Sequence, residues 1–278
     1  AGGLGRFRVN VFTQRNSTAM VLRYVKSEVP TLEKLGVPEV LKDLILLKRG
    51  MILMVGATGS GKSTTLAAMV NHRNDNAAGH ILTIEDPIEY VHPNKRSIIN
   101  QREVGTDTES YARALKSALR EAPDAILIGE VRVRETMDAV IQLANTGHLA
   151  ISTLHANNAY QALQRIINLY PDELRDQLYM DLSMTLRAIV SQRLVRRKDG
   201  RRCAAVEVMI NTPYIADLIL NKRIEEVKEA MSTSSDRGML TFDNSLYKLY
   251  TDGLIDLEEA LNNADSRTNL EAKINFGV

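Results

Sequence analysis

Met51-Ile52-Leu53-Met54-Val55-Gly56-Ala57-Thr58-Gly59-Ser60-Gly61-Lys62-Ser63-Thr64-Thr65 decides the fold: a five-residue apolar run enters a complete G-x-x-x-x-G-K-S sequence. This is the P-loop (Walker A) pattern in the context it requires, a buried strand, a tight turn and a helix start. Gly56, Gly59 and Gly61 let the backbone turn closely and aim N–H groups at phosphate oxygens, and the start of the following helix adds partial positive charge. Lys62 then reaches the β- and γ-phosphates and Ser63 can ligate Mg²⁺, with Ala57, Thr58, Ser60 and Thr64 completing the cradle. The stretch predicts a nucleoside triphosphate site; the plain alternative is a glycine-rich structural turn.

A chain of 278 residues can bury one large core or two modest ones, and 44% hydrophobic with 25% charged residues is ordinary globular composition. Thirty-five basic against thirty-four acidic residues leave a net charge of +1, which lacks the bias of a dedicated nucleic-acid binder. One cysteine, Cys203, makes no internal disulfide framework or zinc site and reads as a quiet residue in or near the core. No run approaches the roughly 18 apolar residues of a membrane span, and no basic-then-apolar signal pattern opens the chain. The expectation is a cytoplasmic protein that could attach to a membrane through a partner. The glycine-dense Ala1–Gly5 reads as a loop within a longer chain.

Working outward, residues 6–12 alternate polar and apolar side chains as a half-exposed strand does, residues 18–25 fit a second strand, and residues 14–17 turn between them. A lone hairpin is marginal, so these residues are expected to belong to a separate domain, with 27–38 as a linker. A helix from Val40 should end near residues 48–50, ahead of the P-loop strand. Beyond it come helix 63–72, strand 80–84, a possible strand at 97–100, helix 108–120 and the buried strand 125–128. Helix 136–144, strand 148–154 and helices 159–169 and 172–184 follow. Strands 188–195 and 204–210 flank an Asp199-Gly200 hairpin turn. Helices are expected at 213–220, 223–231, 239–250 and 256–261; residues 262–278 are too polar and interrupted to assign. Alternating strands and helices predict an α/β sheet with a helical appendage.

A P-loop alone binds nucleotide; hydrolysis needs a group that holds the metal and orients water. Ile126-Leu127-Ile128-Gly129-Glu130 is a buried strand running into an acid, the Walker B position, with the usual aspartate replaced by glycine and the charge moved to Glu130. Glu85-Asp86-Pro87-Ile88-Glu89 follows another short strand and should reach the same sheet edge. Several carboxylates there need compensation, which Mg²⁺ and Lys62 offer; solvated turn charges are the alternative for Asp86 and Glu89, and a surface salt bridge for Glu130. His148 and His155 flank one strand, seven residues apart. That spacing puts them on opposite faces, so they are a poor metal pair. Spacing alone leaves open whether each is a core or loop histidine or a catalytic one.

Taken together, these stretches resemble the retraction ATPases of bacterial type IV pili, the PilT/PilU family of the secretion ATPase superfamily. Gly56–Ser63 matches the family's Walker A, Ile84–Tyr90 its Asp box, Ile128–Arg132 its atypical Walker B, and Thr146–Leu149 through Thr153–Ala156 its His box. Arg6–Phe12 looks like the last strands of its amino-terminal, PAS-like domain. The resemblance implies a RecA-like P-loop NTPase core (39–210), an incomplete amino-terminal α/β domain (1–26), and a helical carboxy-terminal region (211–278). It implies ATP and Mg²⁺ as ligands and Glu130 as the acid near metal and water. Glu89 would polarise the attacking water, Glu85 would lie at the nucleotide, and His155 and His148 would link γ-phosphate state to domain position. Arg8 and Arg23 match arginines that approach the phosphates across the domain gap, in a ring where they are expected to serve a neighbour's nucleotide; without the family they read as an exposed strand face. The implied assembly is a homo-hexamer, peripheral at the inner membrane through a pilus platform protein.

One departure bears on activity. The helix Tyr214-Ile215-Ala216-Asp217-Leu218-Ile219-Leu220 keeps the apolar spacing but lacks two arginines that the family's main motor carries around Asp217 and Leu220, which makes this chain more similar to the accessory paralogue, one that works with a PilT-like retraction ATPase. Ile215, Leu218 and Ile219 are a packing face in either case. Six basic residues between Arg193 and Arg202 could contact nucleic-acid phosphates. They surround a turn and have no interleaved aromatic platform, so no nucleic acid is expected. A ring-shaped nucleic-acid translocase and a nucleotide-bound scaffold with weak hydrolysis are the two alternatives.

Overall fold

A computed structural model describes residues 6–25, 28–236 and 238–277, apart from the side chains of Arg6, Arg23 and Val25. The expected loop at Ala1–Gly5 and the first residue of the 27–38 linker lie outside the described residues. The chain opens with β1 (Arg6–Gln14) and β2 (Ser17–Val25). They pair antiparallel around Arg15 and Asn16, both with positive φ, the geometry of a two-residue hairpin turn that follows the strand twist. Phe7, Val9, Met20 and Leu22 stand about half exposed on it.

After α1 (Leu32–Leu35) and α2 (Val40–Leu46) comes β3 (Gly50–Val55), then α3 (Lys62–Asn76), β4 (Gly79–Glu85) and β5 (Ser97–Glu103). The succession continues with α4 (Tyr111–Glu121), β6 (Ala125–Ile128), α5 (Arg134–Asn145), β7 (Leu149–Leu154), α6 (Ala159–Asn168) and α7 (Asp172–Thr185). The hairpin β8 (Leu186–Arg196) and β9 (Arg202–Ile210) then gives way to helices only: α8 (Pro213–Leu220), α9 (Val227–Thr233), α10 (Phe242–Thr251), α11 (Leu257–Asn263) and α12 (Arg267–Phe276).

Apart from the β1–β2 hairpin, strands β3 to β9 form one seven-stranded sheet in the order β5-β4-β6-β7-β3-β8-β9, parallel except for the antiparallel β8–β9 edge. Central β3 explains its own composition. Met51, Leu53 and Val55 join the core under α4 to α8, Ile52 and Met54 join the core against α2 and α3, and all are fully buried. Side chains alternate across a strand, so burial on both faces produces a continuous apolar run rather than an alternating one. Each such side chain contributes about 1.5–3 kcal/mol by leaving water. A third, smaller core under α10, α11 and α12 packs on the β8–β9 hairpin through Val195, Ala205, Phe242 and Leu246. This is the expected α/β RecA-like core with a helical carboxy-terminal region.

Several expected boundaries are corrected. The helix from Val40 ends at Leu46, and Lys48–Arg49 lead directly into β3. Thr108 is not helical: it bridges to Val104, and Ser110 caps α4 by accepting from the Arg113 N–H. Met239 and Leu240 are not helical either, because Leu240 exchanges backbone hydrogen bonds with Val208 on β9 before Thr241 caps α10. Residues 223–231 divide into a 3₁₀ turn, Ile224–Glu226, and α9. The unassigned end contains α12, framed by the Ser266 cap and Gly277 in the left-handed region. The strand expected from His148 begins one residue later, at Leu149.

Candidate active site

In the parallel strands β4, β6, β7 and β3, which lie side by side, every carboxyl end reaches the same edge of the sheet, where α/β proteins bind ligands. Each delivers one motif there: Glu85 at the end of β4 with Asp86 after it, Glu130 after β6, His155 after β7, and the P-loop after β3. The cavity they line measures about 600 Å³ and is bordered also by Arg8, Glu89, Tyr90, Tyr111, Arg132 and Arg202. That is the size of a small-molecule site.

The P-loop is held from below by β8. A Cβ on Gly56 would meet the Gln192 carbonyl oxygen and Ser60 Oγ at 2.5 Å, and one on Gly61 would meet Gln192 Nε2 at 2.7 Å. Both positions also have positive φ, so glycine is required twice over. Gln192 is buried; its amide donates to the Ser60 carbonyl (2.8 Å) and accepts from Thr65 Oγ1 (2.8 Å), tying the loop to the first turn of α3. Thr64 Oγ1 lies 3.0 Å from the Tyr90 hydroxyl. Lys62 Nζ donates to the Gly56 and Ala57 carbonyls at 2.7 and 2.9 Å, which leaves its charge in the loop at the position where phosphates would compete for it. Burial draws its pKa down while Glu130 and Glu89 pull it up. Ser63 is exposed at the same helix start.

Glu130 is fixed from both sides. The Gly129 N–H donates to the Ile84 carbonyl on β4, the Val131 N–H donates to the Thr153 carbonyl on β7, and Thr153 Oγ1 donates to the Gly129 carbonyl. Its carboxylate accepts from Arg132 Nε (2.8 Å) and Nη2 (2.7 Å) through Oε2, and Oε1 lies 3.2 Å from His155 Nε2. Only 16% of the Glu130 side chain is exposed. Glu85 accepts from Thr83 Oγ1 (2.7 Å) and Gln101 Nε2 (3.3 Å), and its pKa is raised because burial outweighs those bonds.

The structure brings together Glu130, Glu89, Glu85, His155, Arg8 and the P-loop residues 58, 59 and 61–64 in one cavity. His148 is a correction. It precedes β7, so it sits at the opposite end of the sheet from His155, where its Nδ1 approaches the Leu143 carbonyl and Thr146 Oγ1 and its own carbonyl accepts from Gly50 N–H at the start of β3. A six-residue strand separates the two rings, and His148 does not touch this cavity. Arg8, expected to serve a neighbour's nucleotide, also lines the cavity of its own chain. Arg23 pairs with Arg8 across the hairpin, and its side chain lies outside the described ones.

Sequence reading missed Gln192, Tyr90 and Tyr111 as site residues. A glutamine inside the otherwise apolar run 188–195 was the available signal for Gln192, since a buried amide needs partners. The basic cluster also divides. Arg193 donates to the Asn157 and Asn263 carbonyls and to Asp265, and stacks over Phe242 at 3.9 Å. Arg197 and Arg201 pair with Asp199, and Arg202 faces the cavity.

The type II/IV secretion system protein family matches residues 3–248. The type IV pilus ATPase PilU of Pseudomonas aeruginosa is 55% identical over all of this chain and 73% of its own length. The chain belongs to the PilT/PilU family of type IV pilus retraction ATPases. The PilT retraction ATPase of the same organism is 45% identical over 93% of this chain and 75% of its own length, so identity is higher on the PilU side of the family. The crystal structure of the pilus retraction motor PilT with bound ADP superposes with a TM-score of 0.91 at 45% identity, covering 98% of this chain and 77% of that one. Family membership carries ATP hydrolysis with it.

Proposed function

We infer that this chain is an accessory retraction motor: a cytoplasmic, Mg²⁺-dependent ATPase, acting as a homo-hexameric ring held peripherally at the inner membrane by a pilus platform protein and a PilT-like paralogue. The observation that carries the reading is Glu130, nearly buried between Arg132 and His155 at the sheet edge where the P-loop also ends. A carboxylate so placed can take a proton from attacking water, and Glu89 can help orient that water. His155, in contact with Glu130, would report the state of the γ-phosphate to the loop leading into α6. Arg8 and Arg23 would meet phosphate charge from the hairpin, a role suited to a planar, always-charged group.

The residues fit Mg²⁺-ATP. Lys62 rests on loop carbonyls, and Ser60 Oγ is buried in the loop without a protein partner. Among the described residues no three His, Cys, Asp or Glu side chains gather around one point. Mg²⁺ suits such a site because it keeps several waters and needs few protein ligands beyond substrate phosphates; Ser63 and Glu130 would hold it. When bound, it neutralises charge on the β- and γ-phosphates.

The domain scheme belongs to this reading: 1–26 as the end of an amino-terminal domain, 27–38 as linker, 39–210 as motor core and 211–278 as helical region. Among the described residues no helix is long and apolar enough to cross a membrane, so attachment would run through partners. The accessory assignment rests on α8, where Asp217 is held by Arg223 Nη2 (2.9 Å) and Asn221 Nδ2 (2.8 Å) and Leu220 is exposed, in place of two arginines. Fibre retraction in cells lacking the paralogue tests it. Retraction should stay lost with this protein alone and return when the paralogue is supplied; full retraction by this ATPase alone would contradict the accessory role.

A further inference from the structure

Gly129 stands where P-loop enzymes place the Walker B aspartate, and its backbone gives no reason for glycine, since its φ lies outside the left-handed range. The reason is space. A Cβ built there would stand 2.6 Å from the Tyr111 hydroxyl, while the next heavy atoms, Glu85 Cα and the Ile84 carbonyl oxygen, lie at an ordinary 3.4 Å. The phenol oxygen, carried in by the first residue of α4, therefore fills the volume into which an aspartate would project.

Its surroundings are those of the chemistry. Tyr111 lines the cavity with Glu85, Asp86, Glu130 and Arg132. Burial and then Asp86 push its phenol up to about 12, against the pull of Arg132, so the hydroxyl keeps its proton. Among the described residues it makes no hydrogen bond to a protein group. A phenol both donates and accepts: it can donate a hydrogen bond to a carboxylate of the cluster while accepting one from water. An aspartate would add another negative charge beside Glu85, Asp86 and Glu130, at a cost in repulsion and desolvation. The phenol supplies hydrogen bonds without that charge.

We propose that the Tyr111 hydroxyl stands in for the missing Walker B aspartate, ordering the water on which Glu130 acts, so that Tyr111 and Gly129 are a matched pair. This rests on reading the cavity as the site of ATP hydrolysis. Tyr111 is a positioning residue, and Tyr111→Phe removes one oxygen from it.

The test combines turnover, ATP affinity and melting temperature on the assembled protein. In Tyr111→Phe, ATP affinity should stay within about twofold while kcat falls about tenfold or more, the split expected of a group that matters in the transition state. Gly129→Ala should lower the melting temperature in the native background and much less in Tyr111→Phe, because the phenol oxygen is the one atom nearer than 3.4 Å to the added carbon. Gly129→Asp with Tyr111→Phe should turn over ATP faster than Tyr111→Phe alone. Native kcat in Tyr111→Phe would overturn the proposal, as would Gly129→Ala being tolerated equally in both backgrounds. Loss of ATP affinity together with melting temperature in Tyr111→Phe would make the residue a structural prop and overturn it as well. Absence of turnover in the native protein would sink the ATPase reading separately, with the melting cycle still deciding the pairing.

Discussion

Glu130 concentrates the chemistry at the scale of single residues. Its backbone is pinned between two parallel strands and its two carboxylate oxygens are divided between Arg132 and His155, so neither position nor orientation depends on a bound ligand. Glu130→Gln keeps the shape and removes the charge. ATP should still bind, measured by calorimetry, because Lys62 and the loop amides are untouched, while kcat should fall about 100-fold or more, the loss typical of removing a general base. ATP affinity lost with kcat kept would make Glu130 a binding group instead. The acid itself was legible as the end of a buried strand. Tyr111 was present in the sequence but carried no sign that its hydroxyl would stand beside Gly129, because that approach depends on where β6 ends and α4 begins. His148 has an expected role only through the family resemblance; the spacing already argues against a pair, and the length of β7 separates it from His155.

At the scale of elements, α6 shows how the loop after β7 is braced. Glu207 on β9 is buried; its Oε1 accepts from the Ala159 N–H at the start of α6 (2.7 Å) and from Ser191 Oγ on β8 (2.9 Å). Burial raises its pKa from the ordinary 4.5 to about 7, with Asp265 adding to the rise and Arg193 opposing it. A carboxyl whose folded pKa is raised favours the protonated fold, so its contribution is fully present below pH 4.5 and lost as pH rises through about 7, a change of about 3 kcal/mol by linkage. Glu207→Gln can accept the same two bonds without ionising. Its melting temperature relative to the native chain should therefore rise between pH 5 and about 8, and an identical pH profile in both proteins would refute the assignment. Helices and strands were legible where burial imposes a period, as in β3, β6 and α8. They were not where tertiary contacts decide: Leu240 is drawn into a bridge with β9, and α12 buries only Leu270, too little apolar pattern to announce a helix.

The whole molecule is built on a largely parallel sheet whose strand order lines up four sequence-distant motifs along one edge, with α10 to α12 docked on its hairpin side. That order is what the sequence could not state by itself, although the motifs, their succession and the α/β alternation were readable and the family likeness implied their convergence. The hairpin β1–β2 adds Arg8 to the same cavity, so the site draws on a residue from outside the motor core. The central claim is that this cavity is the engine, with Lys62 its mobile cation. Lys62 sits with its ammonium on two loop carbonyls and, among the described residues, no carboxylate partner, so removing it should leave the fold intact. ATP turnover by Lys62→Ala, measured alongside its melting temperature, is the most direct test: the account predicts turnover abolished with the melting temperature kept, and near-native turnover would contradict it.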